Sequence, residues 1–304
     1  VQTTITEAPP PPVAQLPLSP AEDDGQEIRL IDRILSPLRL TVGFSFTAAT
    51  SAAMIPLALA LLPSRQARIK LCNYYGKAIG RTLIAISGVT PIVRHQERIG
   101  LASPAIYVSN HTSVLDVFFA IWLCPIGGCG VAKKEIGNIP FFGWLYRLSG
   151  HLLIDRENRK NAIAGLDGVA EVVKKHNLSI WMWPEGTRSK DGRLLPIKKG
   201  LGHLAIATGL PIVPVVINNA HKNWPKKQFV LRPTTVEVDI LEPIRTDHWR
   251  HETIEDNLAE VHRAFAEALN PGQKPLPLRA ERGQPHPPNP LSCTERGRSR
   301  KREI

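Results

Sequence analysis

The sequence predicts an α/β fold, a largely parallel sheet flanked by helices, preceded by an N-terminal membrane-associating helical region. Two observations carry the α/β part. Short apolar or β-branched runs alternate with helical patterns from Ala105 to Ala268, the signature of a parallel sheet with crossover helices. The segments richest in capping and turn residues, Ser109 to Ser113 and Pro184 to Gly186, directly succeed two of those runs. A third observation adds the N-terminal region: Thr41 to Leu62 contains no charged residue.

From the N-terminus, residues 1–27 hold Pro9 to Pro12, Pro17 and Pro20 and little that forms a core, so they are expected to be a disordered lead. No signal peptide is expected, because the first 26 residues lack a basic start and an apolar stretch. Residues 28–87 form the membrane-associating region. Thr41 to Leu62 is long enough to cross a bilayer, which takes ~20 apolar residues. It is rich in Ala, Thr and Ser, and Pro56 is expected to kink or break it. Arg29, Arg33 and Arg39 precede it and Arg65, Arg68 and Lys70 come after it, so the positive-inside tendency places both flanks in the cytoplasm. A bent helical hairpin dipping into one leaflet satisfies all of this, and a buried core helix is the alternative. Ala78 to Val93 is also apolar and is expected to lie along the same surface.

The α/β domain spans 88–271. Strands are expected at Ala105–Val108, Gly130–Ala132, Leu152–Ile154, Ser179–Trp183, Ile212–Ile217 and Thr235–Leu241. Helices are expected at Val114–Leu123, Pro140–Leu148, Asn158–Lys175, Gly202–Thr208 and Ile254–Ala268. Asn158–Lys175 is the most amphipathic, with Ile163, Leu166, Ala170 and Val173 on one face. Residues 272–304 are proline-rich and end in a basic run; they are expected to be a disordered basic tail and are given no function.

Composition limits the function. The 304 residues are 43% hydrophobic and 21% charged, as in globular proteins. The formal charge of +11 suits anionic lipid, phosphorylated substrates or nucleic acid. Nucleic acid is set aside: there is no zinc-finger spacing or basic heptad, and aromatics are only 6%. The four cysteines, Cys72, Cys124, Cys129 and Cys293, form no CxxC pair, so free thiols are expected and no metal. Gly200 to Ala205 fits a loose GxGxxA pattern, but no strand precedes it and no acidic residue lies at the needed distance beyond it. There is no GxSxG elbow, and Ser109 and Ser113 read as caps.

The chemistry-bearing pair is His111 and Asp116 in the run NHTSVLD. A neutral imidazole takes an alcohol's proton near neutral pH, and a carboxylate on its other nitrogen fixes the tautomer. Five residues on a regular helix point well apart. His111 must therefore precede or start a helix that carries Asp116. Taken alone, the pair also fits a capping histidine.

Further segments change the weight of that pair. NHTSVLD, GHLLIDR from Gly150, PEGTRS from Pro184 and GLPIVPVVI from Gly209, in that order, resemble the four blocks of the glycerolipid acyltransferase family. The resemblance is to its 1-acylglycerol-3-phosphate acyltransferase type and covers about Pro104 to Ile217. Trp183 stands where the family usually has Phe, and Leu153 where an aromatic residue is common. The resemblance implies His111 as base and Asp116 as its partner. It implies Glu185, Gly186, Thr187 and Arg188 at the acceptor's phosphate and glycerol, with Arg156 adding to phosphate binding. It also implies direct attack on the thioester, without an acyl-enzyme.

The residues themselves agree in part. Arg156 and Arg188 have the forked geometry that holds phosphate oxygens, and Gly186 permits close backbone approach. Thr187 also fits a turn. Lys198 lies in a stretch, Arg193 to Arg232, that holds no Asp or Glu and suits a phosphate or a headgroup surface. Glu185 beside a phosphate would repel it, so it is expected to hold a cation or a glycerol hydroxyl.

The expected reaction moves a fatty acyl group from acyl-CoA or acyl carrier protein to the sn-2 hydroxyl of a lysophospholipid, 1-acylglycerol-3-phosphate, giving phosphatidate. No cofactor is expected. The partners are the lysophospholipid acceptor, the acyl donor and the membrane surface, at the cytoplasmic face of the inner cell membrane. The alternatives are another lysolipid acceptor, such as lyso-ornithine lipid, and a non-catalytic membrane-binding relative.

Overall fold

The computed structural model describes residues 29–154, 159–225 and 228–276. The Pro-rich lead, Arg156 and nearly all of the basic tail lie outside them. The described residues up to Lys274 belong to one compact unit.

Seven strands make one sheet: β1 (Val89–Arg94), β2 (Ile106–Ser109), β3 (Gly128–Lys133), β4 (Leu152–Ile154), β5 (Ser179–Met182), β6 (Ile212–Asn218) and β7 (Thr234–Ile240). Their order is β1-β7-β6-β2-β5-β3-β4. Every pairing is parallel except β6 with β7. At the centre, Tyr107 of β2 lies between Trp181 of β5 and Val213 of β6. β2 and β5 are buried along nearly their whole length, which is why they read as apolar runs rather than alternations.

The two faces of the sheet carry different cores. Ile106, Val108, Ile180, Ile212 and Val216 face one side, with α5 (Arg159–His176), α6 (Gly200–Thr208) and α8 (Ile254–Ala268) packed on it. Tyr107, Trp181, Val213, Val215 and Ile217 face the other, covered by α3 (Leu115–Leu123) and the end of α2 (Arg65–Ile86). Neighbouring residues alternate between the cores because strand side chains alternate. The rejected GxGxxA run begins at the first residue of α6, so it forms helix rather than a phosphate-cradling loop. In α5, Ala170 and Val173 are buried as expected; Ile163 and Leu166 lie outside the described side chains.

Two expectations for the N-terminal region are corrected. Pro56 does not bend the Thr41–Leu62 stretch into a hairpin. α1 runs unbroken from Leu30 to Ala60 through both Pro37 and Pro56. Each proline removes one intrahelical bond, and packing along the helix outweighs that loss. Near its start, Ser36 Oγ accepts from Leu231 N at 2.8 Å, and the Arg39 guanidinium lies against Gly88. Further along, Thr50 and Ser51 bond the Tyr75 hydroxyl at 2.9 and 3.0 Å, and Ala58 packs with Cys72 and Leu145. The hairpin does exist, but its arms are α1 and α2. The turn closes at Ser64, whose side chain accepts from Ala67 N and caps α2.

Second, Ala78 to Val93 does not lie along a surface. Its first part is the end of α2, with Ile79, Leu83 and Ile84 buried. Gly88 at φ +74 then turns the chain into β1, a strand pairing β7. α2 approaches α3 closely because Gly76 and Gly80 face it. A Cβ on Gly80 would stand 2.7 Å from the Phe118 carbonyl, and one on Gly76 3.0 Å from that of Ile121. This small-xxx-small spacing lets two helix backbones touch.

Candidate active site

β2 and β5 are adjacent and parallel, so the loops after them share one edge of the sheet, where α/β folds gather ligands. Asn110 sets the first loop. Its side chain donates to Ile217 O at 2.9 Å and accepts from Ile217 N at 2.8 Å, continuing the β2–β6 ladder by one residue. Asn110 therefore acts as a strand clamp rather than a helix cap. Ser109 is also no cap: it ends β2 and its hydroxyl lies 3.2 Å from the Trp181 indole nitrogen, which donates to it. Ser113 anchors the turn before α3: its Oγ accepts from Leu115 N at 3.2 Å and donates to Trp224 O at 2.9 Å.

With Asn110 clamped, His111 leads into the turn before α3, and Asp116 is the second residue of that helix. Asp116 is fully buried. Its Oδ2 accepts from Thr112 N at 2.6 Å and Ser113 N at 2.8 Å, and lies 2.9 Å from His111 Nδ1. Its position in the first turn also favours a negative charge. A carboxylate at Nδ1 requires the N–H there, which leaves the Nε2 lone pair as the basic site. Trp183 stacks on the His111 ring, centroids 4.6 Å apart and planes 22° apart. Ser189 N donates to His111 O at 2.8 Å.

Glu185 ties the second loop to the first. Its Oε1 accepts from His111 N at 2.7 Å and its Oε2 from Leu195 N at 3.1 Å. Both oxygens are thus taken by main-chain donors, where the sequence placed a cation or a glycerol hydroxyl. Burial pushes the carboxyl up to about 8, against the pull of those two N–H groups. Gly186 has φ +72, and the Lys198 side chain crosses it so closely that a Cβ would meet Nζ at 2.8 Å. Lys198 N donates to Pro184 O at 3.0 Å, closing this loop. Thr187 is exposed and Arg188 half-buried.

His111, Gly186, Thr187 and Arg188 line one cavity of about 410 Å³. Away from them its walls are mostly apolar: Ile79 of α2, Ala120 and Ile121 of α3, Val131 of β3, and Phe142 and Leu145 of α4 (Phe142–Leu148). His151 lies in the same wall, its Nδ1 accepting from Gly130 N at 3.1 Å. Burial and the nearby Arg65 push its pKa down to about 4, so the ring is neutral. Sequence reasoning missed the cavity, the Glu185 brace and the part α2 plays in the wall. Gly76 and Gly80, four apart in an apolar run, were the available signal for α2; nothing local marked Glu185 as a brace.

Residues 90–218 match the family model described as Acyltransferase. The 1-acyl-sn-glycerol-3-phosphate acyltransferase of Limnanthes douglasii is 41% identical over 256 residues, covering 84% of this chain and 90% of the relative. The protein of that name from Escherichia coli (strain K12) is 37% identical over 174 residues, covering 54% and 70%. In fold, the chain resembles the crystal structure of the 1-acyl-sn-glycerophosphate (LPA) acyltransferase, PlsC, from Thermotoga maritima. The TM-score is 0.66 at 24% identity, over 78% of this chain and 96% of that one. A relative this similar over most of both lengths, and a family match spanning the loops of His111 and Glu185, place the chain in the 1-acyl-sn-glycerol-3-phosphate acyltransferase family.

Proposed function

We propose that this chain transfers a fatty acyl group from acyl-CoA or acyl carrier protein to the sn-2 hydroxyl of 1-acylglycerol-3-phosphate, giving phosphatidate. The observation that carries the reading is the His111–Asp116 pair, its Nδ1···Oδ2 contact at 2.9 Å, at the polar end of an otherwise apolar cavity. Asp116 holds the imidazole, and Nε2 removes the acceptor's hydroxyl proton. The alkoxide attacks the thioester carbonyl. The tetrahedral intermediate then expels the thiolate, which takes the proton from the imidazolium.

The other residues supply binding and position. Arg188, with Lys198 beside Gly186, meets the acceptor's phosphate; Arg156 is the second cation implied by the family resemblance. Thr187 lies within the same cavity wall, and Glu185 braces the loops. The apolar wall accepts an acyl chain. The thioester is already activated, so the reaction needs no cofactor or metal. Cys72 and Cys124 line the cavity, but burial pushes their thiols up to about 11 and about 12. They stay protonated, which supports direct transfer rather than an acyl-cysteine intermediate.

We also place the chain at the membrane. α1 is long and apolar enough to cross a bilayer, yet its start is tied to Leu231 and its end packs through Ala58 on Leu145 of α4. A helix pinned in that way lies against one leaflet. α2 carries Arg65, Arg68, Lys70, Lys77 and Arg81 and no acidic residue, a charge suited to the anionic cytoplasmic leaflet, where soluble acyl donors are available.

The test is acyl transfer by detergent-solubilised protein. Labelled acyl-CoA and acyl carrier protein are each offered with lysophosphatidate, lysophosphatidylcholine and a lyso-ornithine lipid. Phosphatidate formation is expected, with His111→Ala slower by at least about 10³-fold. Transfer only to another lysolipid would overturn the acceptor. Wild-type rates in His111→Ala would overturn the mechanism.

A further inference from the structure

α4 carries apolar side chains on three sides. Phe142, Leu145 and Tyr146 line the cavity, and Leu145 and Leu148 pack against Met54, Ile55 and Ala58 of α1. Its third side, with the turn before it, faces outward: Ile139 is 44% exposed, Phe141 39% and Trp144 49%. The Phe141 and Trp144 rings meet at 5.0 Å between centroids. The helix has one charged side chain, Arg147. It is drawn back to Gly137 O at 2.8 Å and Asn138 Oδ1 at 2.7 Å. No charged residue falls between Ile139 and Trp144.

Phe141 sits at φ 59, a conformation rarely adopted by residues with a Cβ. The result is that two successive phenylalanines serve opposite sides: Phe142 lines the cavity and Phe141 faces out. Single exposed apolar residues are ordinary. A cluster of two aromatics and an isoleucine, on a helix packed against α1, calls for an occupant. α1 itself exposes Phe44, Phe46, Leu57 and Leu59, so the cluster continues an apolar surface.

We propose that Ile139, Phe141 and Trp144 form a second membrane contact, inserted at the headgroup boundary beside α1. This rests on the reading that α1 meets the membrane. In this arrangement α4 is the wall between the cavity and the lipid. Trp and Phe fit such a position because their rings tolerate the boundary between hydrocarbon and water. Two separate contacts would fix the tilt of the domain on the leaflet, which one helix alone would leave free to roll.

The experiment uses the full chain with vesicles of phosphatidylcholine and phosphatidylglycerol, and reads both flotation and tryptophan quenching by brominated phosphatidylcholine. Wild type is expected to float and to be quenched. Trp144→Phe keeps the bulk and should float equally while losing most of the quenchable emission. The double variant Phe141→Asn with Trp144→Gln should bind about tenfold more weakly, as loss of exposed apolar area predicts. Asparagine tolerates positive φ, so the double variant should match wild type in circular dichroism and thermal melting. Wild type that floats, with quenching unchanged in Trp144→Phe and equal binding by the double variant, would overturn the second contact and leave α1's membrane role standing. Wild type that does not float at all would overturn both.

Discussion

Three donors converge on one oxygen of Asp116: two main-chain N–H groups and His111 Nδ1. Its other oxygen is buried, with no partner among the described residues. Asp116→Asn can keep one acceptor in place but removes the charge that steadies the imidazolium. The expected outcome is a kcat lower by about 10³-fold or more with the fold retained, read by steady-state kinetics and circular dichroism. Glu185 gives a different signature, because both its oxygens accept from the main chain. In Glu185→Gln an NH₂ group meets one of those N–H donors. Stability should fall by about 1–3 kcal/mol, and kcat should fall with the KM for lysophosphatidate little changed. A rise in KM alone would instead put Glu185 on the acceptor. His151 supplies a pH dependence. Its folded pKa is pushed down to about 4 from an ordinary 6.5, so the folded state resists the proton that the unfolded chain accepts. The stability this contributes is full above pH 6.5 and is lost as pH falls towards 4, by about 3 kcal/mol at the limit. His151→Asn keeps an acceptor for Gly130 N and should flatten the acid limb of a melting-temperature profile.

Among the elements, α2 and α3 have the least tolerance. Gly80 leaves no room for even a methyl group beside the Phe118 carbonyl. Gly80→Val should push α2 away, open the cavity wall and destabilise the protein by about 2 kcal/mol or more. Thermal melting checks the stability. A loss of acyl transfer with His111 and Asp116 untouched checks that α2 belongs to the site. The same contact explains why part of the N-terminal region was misread. Ala78 to Val93 is mostly apolar, and apolarity alone does not separate a helix facing lipid from one buried on a sheet. β1 lies at the edge of the sheet, mostly exposed and with Pro91 within it, so no local pattern announced it. The central strands were legible because burial on both faces makes them continuous apolar runs.

For the whole molecule, the proposed membrane binding combines the basic α2 with exposed apolar side chains on α1, and salt separates the two. Raising ionic strength from 0.1 to 1 M shortens the screening length from about 10 to about 3 Å. Vesicle binding should weaken but persist, because apolar insertion is not screened; complete release would make the contact purely electrostatic. By itself the sequence determined the alternation of strands and helices, the placing of His111 before a helix that carries Asp116, and the edge where His111 and Glu185 meet. Each of these is written locally, in strand periodicity, in the spacing of NHTSVLD and in the loop residues directly after β2 and β5. Only the tertiary structure decided that α1 runs unbroken past Pro56, that Glu185 braces the main chain, and that α2 and α4 wall a cavity. Those outcomes depend on partners far away in the chain: Leu231 for Ser36, His111 for Glu185 and Phe118 for Gly80. Contacts between distant segments leave no periodic trace in the segments that make them.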